Sequence, residues 1–242
     1  MKAFLLAGGL GTRLRPLTNN TPKCLLPVRG TPILQIWFEL CRQFGIDEVL
    51  VNVHSHGEAV RAFIERSKDG LSVRLFEETT LLGSAGTILV NRDWVRKEES
   101  FWVIYADVLT TVNLGQMLAF HRSRRQMATI GVYEVLDPSR CGIVQLDDSG
   151  IVRDFVEKPK LPAGTLAFSG LMLAAPSLLD FIPHMNPVDL GFHVLPRIVG
   201  RMAAYRIRDF LTDIGTPETY QAAQDLWPGL PVDLEKQGRL RA

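Results

Sequence analysis

The stretch KAFLLAGGLGTRLRPLTNNTPKCLLP, residues 2–27, joins a short apolar run directly to a turn that holds three glycines. The run at 2–7 has the length and apolar content of a buried β-strand. Glycines let the backbone approach a ligand closely, and their successive N–H groups can form an anion-binding nest. Basic side chains follow on the same turn. The stretch therefore predicts a polyphosphate site after the first strand, formed by Gly8, Gly9, Gly11, Arg13, Arg15 and Lys23.

Two common glycine motifs do not fit this turn. A dinucleotide fingerprint needs a third glycine where this chain has Leu14, and a P-loop needs a Gly-Lys-Ser/Thr sequence that the turn lacks. Pro16 and Pro22 also predict an extended loop that does not lead straight into a helix. A nicotinamide-dependent oxidoreductase is therefore disfavoured.

The first half of the chain alternates strand-like with helix-like segments. The predicted strands are 2–7, 48–53, 72–77 and 101–106, nearly continuous in apolar residues, and the predicted helices are 32–45, 57–70 and 114–126. From 128 to about 175 the pattern changes to strands around a DDSG hairpin turn, before a strand at 203–210 and a helix at 216–227. We therefore expect an α/β fold, a doubly wound Rossmann-like and mostly parallel sheet with a small antiparallel excursion.

Composition narrows the class of protein. The 242 residues carry 27 Lys and Arg against 26 Asp and Glu, a net charge of +1, which gives no reason to expect a nucleic acid or a membrane as partner. Cys24, Cys41 and Cys141 show no metal-ligand spacing and are interpreted as reduced packing residues of a cytoplasmic protein. The five histidines form no ligand-spaced cluster.

Five motifs along the chain resemble, in order, those of the sugar-1-phosphate nucleotidylyltransferases, the nucleoside-diphosphate-sugar pyrophosphorylases. They are the GGLGTRLRPLT…PKCLLP turn, LLGSAGTI at 81–88, YADV at 105–108, FVEKP at 155–159 and LTDIGTPETY at 211–220. Each motif is weak alone, and together they are specific. The resemblance implies a GT-A-like fold and covers the chain up to the helix at 216–227.

The resemblance also implies a role for each matching residue. The nucleotide would be bound by Ala7, Gly8, Gly9, Gly11, Thr12, Arg13 and Gly86, and the sugar by Gly142, Glu157, Lys158 and Ser169. Asp107 and Asp213 would hold Mg²⁺. Arg13, Lys23 and Lys158 would be the catalytic cations. Two departures from the family pattern, Tyr105-Ala106 before the aspartate and Ser169 in place of an asparagine, leave sugar recognition open.

The resemblance implies transfer of a nucleoside monophosphate from a nucleoside triphosphate to a sugar 1-phosphate, with release of pyrophosphate. The LGSAG loop at 82–86 is similar to the LGTAG loop of guanylyltransferases, which favours GTP with mannose 1-phosphate or a related hexose or heptose 1-phosphate. The alternatives are a uridylyl-, thymidylyl- or cytidylyltransferase of the same fold, or a non-catalytic nucleotide-sugar sensor or regulatory subunit.

Domain organisation follows from the same pattern. We expect one nucleotidyltransferase domain over residues 1–228, with a sugar-binding part inserted at about 128–175, and a loosely attached tail at 229–242. A homo-oligomer is left open, because no heptad pattern decides the oligomeric state.

Overall fold

The computed structural model of the chain describes residues 1–67 and 70–230. Most of the predicted tail at 229–242 therefore lies outside the described residues. Over the described part, no helix combines the length and the apolar character that crossing a membrane requires.

The strands and helices follow the predicted alternation. The strands are β1 Lys2–Leu6, β2 Pro27–Val28, β3 Thr31–Pro32, β4 Glu48–Val53, β5 Ser72–Glu77, β6 Phe101–Tyr105, β7 Val108–Thr110, β8 Ala128–Glu134, β9 Gly142–Leu146, β10 Val152–Glu157, β11 Leu166–Ala174, β12 Met202–Arg206 and β13 Leu211–Asp213. The helices are α1 Ile33–Gln43, α2 Gly57–Ser67, α3 Ser84–Val90, α4 Arg92–Val95, α5 Leu114–Arg124 and α6 Pro217–Leu226. As the sequence predicts, Thr216 caps α6, and its hydroxyl accepts a hydrogen bond from the Thr219 N–H.

The central sheet has the strand order β10-β9-β11-β6-β1-β4-β5, and β12 and β8 continue it beside β11. Strands β6, β1, β4 and β5 are parallel. Strand β11 runs antiparallel to β6, β8 and β9. The predicted hairpin of β9 and β10 is confirmed, and β11 makes this antiparallel part continuous with the parallel strands.

Helices cover both faces of the sheet, as in a doubly wound fold. Side chains alternate along β1, where Ala3 and Leu5 face one core and Phe4 faces the other. Helices α1, α2, α5 and α6 cover the first core, and α3, α4 and the turns at 176–198 cover the second. The expectation that all four parallel strands are buried on both faces is wrong for β5, because β5 is an edge strand and its residues are exposed or half-buried.

His121 on α5 is buried against β8, and its Nδ1 lies 2.9 Å from the Thr129 hydroxyl. Burial lowers the pKa of His121; Glu99 raises it and Arg122 lowers it by smaller amounts. The unfolded chain, with an ordinary histidine pKa of about 6.5, therefore binds a proton at a higher pH than the folded chain does.

We predict that the free energy of unfolding falls as the pH drops below about 6.5 and that His121→Gln flattens this dependence. Urea unfolding at a series of pH values measures it. The control is His184→Gln at an exposed position, which should keep the wild-type slope. An unchanged slope in His121→Gln would contradict the assignment.

Candidate active site

A cavity of about 710 Å³ opens at the carboxyl ends of the parallel strands. This edge is where open α/β sheets bind ligands, and the volume is typical of a small-molecule site. The glycine turn, the ends of β4 and β6, the loop before α3 and the turn at 187–193 all contribute to its lining. The sequence-predicted nucleotide residues Ala7, Gly8, Gly9, Gly11, Thr12 and Arg13 all line it, and so do Lys23 and Asp107.

The glycine turn is fixed from below by Asn52 at the end of β4. The Ala7 N–H donates to Asn52 Oδ1 over 2.7 Å. A Cβ on Gly8 would lie 2.7 Å from Asn52 Nδ2, so only glycine fits there without a shift. Gly11 has a positive φ of 62°, and its carbonyl accepts from the Thr18 hydroxyl over 2.7 Å. The turn is therefore held by specific contacts and does not depend on its glycines alone.

Glu78 is a buried carboxylate that lines the same cavity. Its Oε1 accepts from Asn52 Nδ2 over 2.8 Å and from the Thr87 hydroxyl over 2.5 Å. Its Oε2 accepts from the Leu82 N–H over 3.1 Å. All three partners donate, so both carboxylate oxygens of Glu78 act as acceptors in this network. This network joins the glycine turn to the loop before α3.

Lys23 and Asp107 form an ion pair, and a strand pairing brings Asp213 beside Asp107. Lys23 Nζ lies 2.5 Å from Asp107 Oδ2, and both groups are mostly buried. Strand β13 pairs with β7 so that Asp213 lies opposite Val108, and the Ile214 N–H donates to the Asp107 carbonyl. The two aspartates of separate motifs therefore occupy neighbouring backbone positions.

The exposed Arg13 reaches the same place from the glycine turn. A Cβ on Gly215 would lie 3.1 Å from Arg13 Nη2 and 2.5 Å from Asp213 Oδ1. The Gly215 N–H donates to this Asp213 oxygen over 2.6 Å. Arg13 and Lys23 therefore flank the aspartate pair from the turn that the sequence predicts to bind phosphates.

The donor set of Asp107 and Asp213 fits a hard divalent cation. Mg²⁺ is usually held by one or two carboxylates together with waters and substrate phosphates, without a full cage of protein ligands. Among the described residues no group of three or more His, Cys, Asp or Glu side chains could hold a metal ion. A cation here would therefore depend on the two aspartates and on the substrate.

Gly86 lies differently from the other predicted nucleotide residues. It is buried in α3, and its N–H donates to the Val188 carbonyl over 3.0 Å. Of the same loop, Gly83 and Ser84 line the cavity. A base contact from this loop would thus come from those two residues more directly than from the Gly86 N–H.

The predicted sugar residues lie beside the cavity, not in its lining. Glu157 and Lys158 end the hairpin, and Gly142 packs against Glu157, since a Cβ there would lie 2.7 Å from Glu157 Oε2. Burial is the main cause that raises the pKa of Glu157, with Lys158 opposing it. Ser169 is buried on β11, where its hydroxyl accepts from the Leu171 N–H over 3.2 Å. Ser169 thus holds its own strand and does not reach the cavity lining.

Tyr105, the family departure at the end of β6, forms part of the cavity lining between the two halves of the site. Burial is the main cause that raises its pKa, while Ser84 lowers it. Asp189, Glu157 and Asp107 raise the pKa further. Tyr105 therefore lies within electrostatic reach of carboxylates from the end of β10, from the residue after β6 and from the turn at 187–193.

Several lining residues lie outside the motifs that the sequence singled out: Asn52, Glu78, Pro187, Asp189, Phe192 and His193. Asn52 and Glu78 are polar residues at the carboxyl ends of β4 and β5, and that position was a readable signal. The turn at 187–193 does not follow a strand of the parallel sheet, so no sequence pattern indicated that tertiary packing brings it to the cavity.

Two of the three cysteines are buried and the third is half-exposed. Cys24 and Cys41 belong to the first core, and burial raises each pKa to about 12, which fits the interpretation as packing residues. Cys141 differs, because it is half-exposed near the sugar side. Burial is the main cause that raises its pKa, with Asp213 and Glu157 adding to the effect.

The sequence profile of the Nucleotidyl transferase family matches residues 2–227, and the chain belongs to this family. Among similar curated proteins is mannose-1-phosphate guanylyltransferase 1 of Arabidopsis thaliana, 36% identical over 227 residues, covering 91% of this chain and 63% of that protein. Mannose-1-phosphate guanylyltransferase catalytic subunit beta of Dictyostelium discoideum is 30% identical over 232 residues, covering 94% of this chain and 64% of that protein. The chain thus spans less than two thirds of the length of these relatives.

Solved structures confirm the fold. UDP-glucose pyrophosphorylase complexed with UDP-glucose superimposes with a TM-score of 0.82 at 21% identity, covering 93% of this chain and 97% of that one. HddC from Yersinia pseudotuberculosis complexed with GMP-PN superimposes with a TM-score of 0.77 at 24% identity, covering 93% of this chain and 99% of that one. The expected α/β nucleotidyltransferase fold is therefore confirmed.

We predict that Gly8→Ala destabilises the protein by about 1–3 kcal/mol, because the new methyl group must displace the buried Asn52 amide from its bonds. Gly9→Ala is the matched control, since a Cβ there meets nothing within 4 Å, and its free energy of unfolding should change by no more than about 0.5 kcal/mol. Denaturant unfolding of both variants measures the difference. Equal stability of the two would contradict the role of Asn52.

Proposed function

We propose that this chain is a sugar-1-phosphate nucleotidylyltransferase, with GTP and mannose 1-phosphate or a related hexose or heptose 1-phosphate as substrates. The observation that carries the proposal is the contact of Lys23 with Asp107 in the lining of the glycine-lined cavity, with Asp213 placed beside Asp107 by the β7–β13 pairing. A site with backbone N–H groups, cations and two carboxylates suits the transfer of a phosphoryl-linked group.

In the proposed reaction an oxygen of the sugar 1-phosphate attacks the α-phosphorus of the triphosphate. The bond from the α-phosphorus to the bridging oxygen breaks, and pyrophosphate leaves with the electron pair. Because the nucleophile is already an anion, no general base or covalent intermediate is needed. The work of the protein is positioning and charge neutralisation.

Each cationic side chain would bind a different phosphate of the two substrates. The glycine turn from Gly8 to Gly11 and Arg13 hold the triphosphate, Lys23 meets the transferring phosphate, and Lys158 meets the attacking phosphate. Asp107 and Asp213 would hold a divalent cation, for which we propose Mg²⁺. When bound, it would neutralise charge on the α-phosphate and the sugar phosphate.

Glu78 supports guanine as the base. Guanine presents two adjacent donors, N1–H and the N2 amino group, to an acceptor-only carboxylate. Uracil and thymine present one N–H between two carbonyl oxygens, which a carboxylate repels. The Glu78 carboxylate has roughly four acceptor positions, of which three are used by Asn52, Thr87 and Leu82, so one position remains to accept from one of the two guanine donors. The names of the curated relatives, mannose-1-phosphate guanylyltransferases, support the same choice.

Glu157 supports the sugar side of the proposal. Its carboxylate is mostly buried beside Gly142 and Lys158, where it can accept hydrogen bonds from sugar hydroxyls. Ser169 would shape this side through β11.

We further propose that residues 1–228 act as one domain with its sugar-binding part at about 128–175. We also propose that the protein works in the cytoplasm, which agrees with free thiols at Cys24, Cys41 and Cys141.

The proposal is tested by measuring pyrophosphate release with Mg²⁺ from four nucleoside triphosphates against a panel of hexose and heptose 1-phosphates. Release with GTP and one sugar phosphate supports it. Release with only UTP, dTTP or CTP would contradict the base assignment. Nucleotide binding without release from any pair would favour a sensor or regulatory subunit and contradict catalysis.

We predict that Asp107→Asn and Lys158→Ala each reduce turnover by about 10²–10³, because each removes charge that stabilises the transition state. The control is Lys160→Ala, an exposed lysine two residues beyond Lys158, which should keep wild-type turnover. Steady-state kinetics with the active substrate pair measures the effect. Near-normal turnover in either active-site variant would overturn its role.

We predict that Glu78→Gln lowers the ratio of kcat/KM for GTP to that for UTP by at least about tenfold, because a carboxamide presents a donor beside an acceptor. The matched control is Glu77→Gln, the same change one residue earlier, at a side chain that pairs with Arg61 on the surface. Competition between the two nucleotides measures the ratio. A ratio unchanged in Glu78→Gln would remove Glu78 from base selection.

A further inference from the structure

The turn from Asp189 to His193, here named the 189–193 turn, supports the two sugar-side residues Glu157 and Lys158. A Cβ on Gly191 would overlap the Glu157 carboxylate, so the turn packs directly on that group. The next residue, Phe192, places its ring centroid 5.6 Å from Lys158 Nζ. Two consecutive residues of the turn therefore contact two consecutive residues of the hairpin.

The 189–193 turn is itself held rigidly. Asp189 Oδ1 accepts from the Gly191 and Phe192 N–H groups over 2.8 and 3.2 Å. Asp189 Oδ2 accepts from the Ser84 hydroxyl over 2.9 Å, and the Asp189 N–H donates to His193 Nδ1 over 2.9 Å. Since Ser84 is the first residue of α3, the 189–193 turn is tied to the side of the cavity on which we propose that the nucleotide binds.

Lys158 needs such a support. Its backbone has a positive φ of 48°, its side chain is 56% exposed, and its ion pair with Glu157 is long, at 3.6 Å. An exposed lysine has about 2 kcal/mol of rotamer entropy to lose when it binds a phosphate. Phe192 lines the cavity and Lys158 does not. The contact with the Phe192 ring therefore keeps the Lys158 ammonium beside the cavity.

We infer that Phe192 is a positioning residue, whose ring holds the Lys158 ammonium at the mouth of the cavity and so favours binding of the sugar 1-phosphate. A cation over an exposed aromatic face is worth about 0.5–1 kcal/mol, which corresponds to a two- to fivefold change in affinity. The inference rests on the proposed function, because it assigns Lys158 to the attacking phosphate.

The test compares Phe192→Leu, which removes the aromatic face, with Phe192→Trp, which keeps it. Phe192→Leu should raise KM for the sugar 1-phosphate about two- to fivefold, with kcat and KM for the nucleotide within about twofold of wild type. Phe192→Trp should keep the wild-type KM. The matched control is Phe181→Leu, which removes the ring under Arg201 outside the cavity lining and should leave all three constants unchanged.

A double-mutant cycle separates positioning from packing. In a Lys158→Met background, Phe192→Leu should have no further effect on KM for the sugar 1-phosphate, because the cation it positions is gone. Thermal unfolding of each variant detects a fold defect.

The outcomes are distinct. Provided that the wild type turns over, three results overturn the positioning role and leave the proposed function standing. They are an unchanged KM for the sugar 1-phosphate in Phe192→Leu, an equal rise of that KM in the wild-type and Lys158→Met backgrounds, and a rise in KM for both substrates. Absence of wild-type turnover with every substrate pair overturns the proposed function itself, and the positioning role falls with it.

Discussion

The contact between Lys23 and Asp107 is the constraint on which the site depends. It spans 84 residues of sequence and joins the end of the glycine turn to the end of β6. It forms because β1 and β6 are parallel neighbours, with Leu6 opposite Tyr105, so that the residues after both strands emerge at the same edge. The β7–β13 pairing then places Asp213 at the same point. The glycine turn and Asp107 therefore meet, with the Asp213 backbone beside Asp107, through backbone pairings.

The buried polar network below the glycine turn is a second consequence of this arrangement. A carboxylate such as Glu78 is costly to bury unless donors satisfy it, and Asn52, Thr87 and Leu82 do so. Because Asn52 also accepts from the Ala7 N–H, the positions of the glycine turn and of the loop before α3 are coupled through one amide. This loop is in turn bonded through Val188 and Ser84 to the turn that packs on Glu157. A continuous set of contacts thus runs from the nucleotide side to the sugar side.

The sequence predicted the parts of this protein that follow from local pattern. The apolar runs located β1, β4, β5 and β6, and the Thr216-Pro217 pair located the start of α6. Strand polarity then placed Gly8, Arg13 and Asp107 at one edge. The sequence could not predict that β5 is an edge strand or that β11 joins the parallel and antiparallel strands, because strand order depends on long-range packing. For the same reason it missed Asp189 and Phe192, which reach the cavity from a turn about 80 residues beyond β6.

The most direct test of the central claim is the binding of Mn²⁺, as a paramagnetic substitute for Mg²⁺, followed by electron paramagnetic resonance in the presence of GTP. If Asp107 and Asp213 act together on one cation, nucleotide-dependent Mn²⁺ binding is present in the wild type and weakened at least about tenfold in both Asp107→Asn and Asp213→Asn. Asp209→Asn, at an exposed aspartate four residues before Asp213, should bind as the wild type does. Wild-type Mn²⁺ binding in both active-site variants would contradict the claim that these two carboxylates form one metal site.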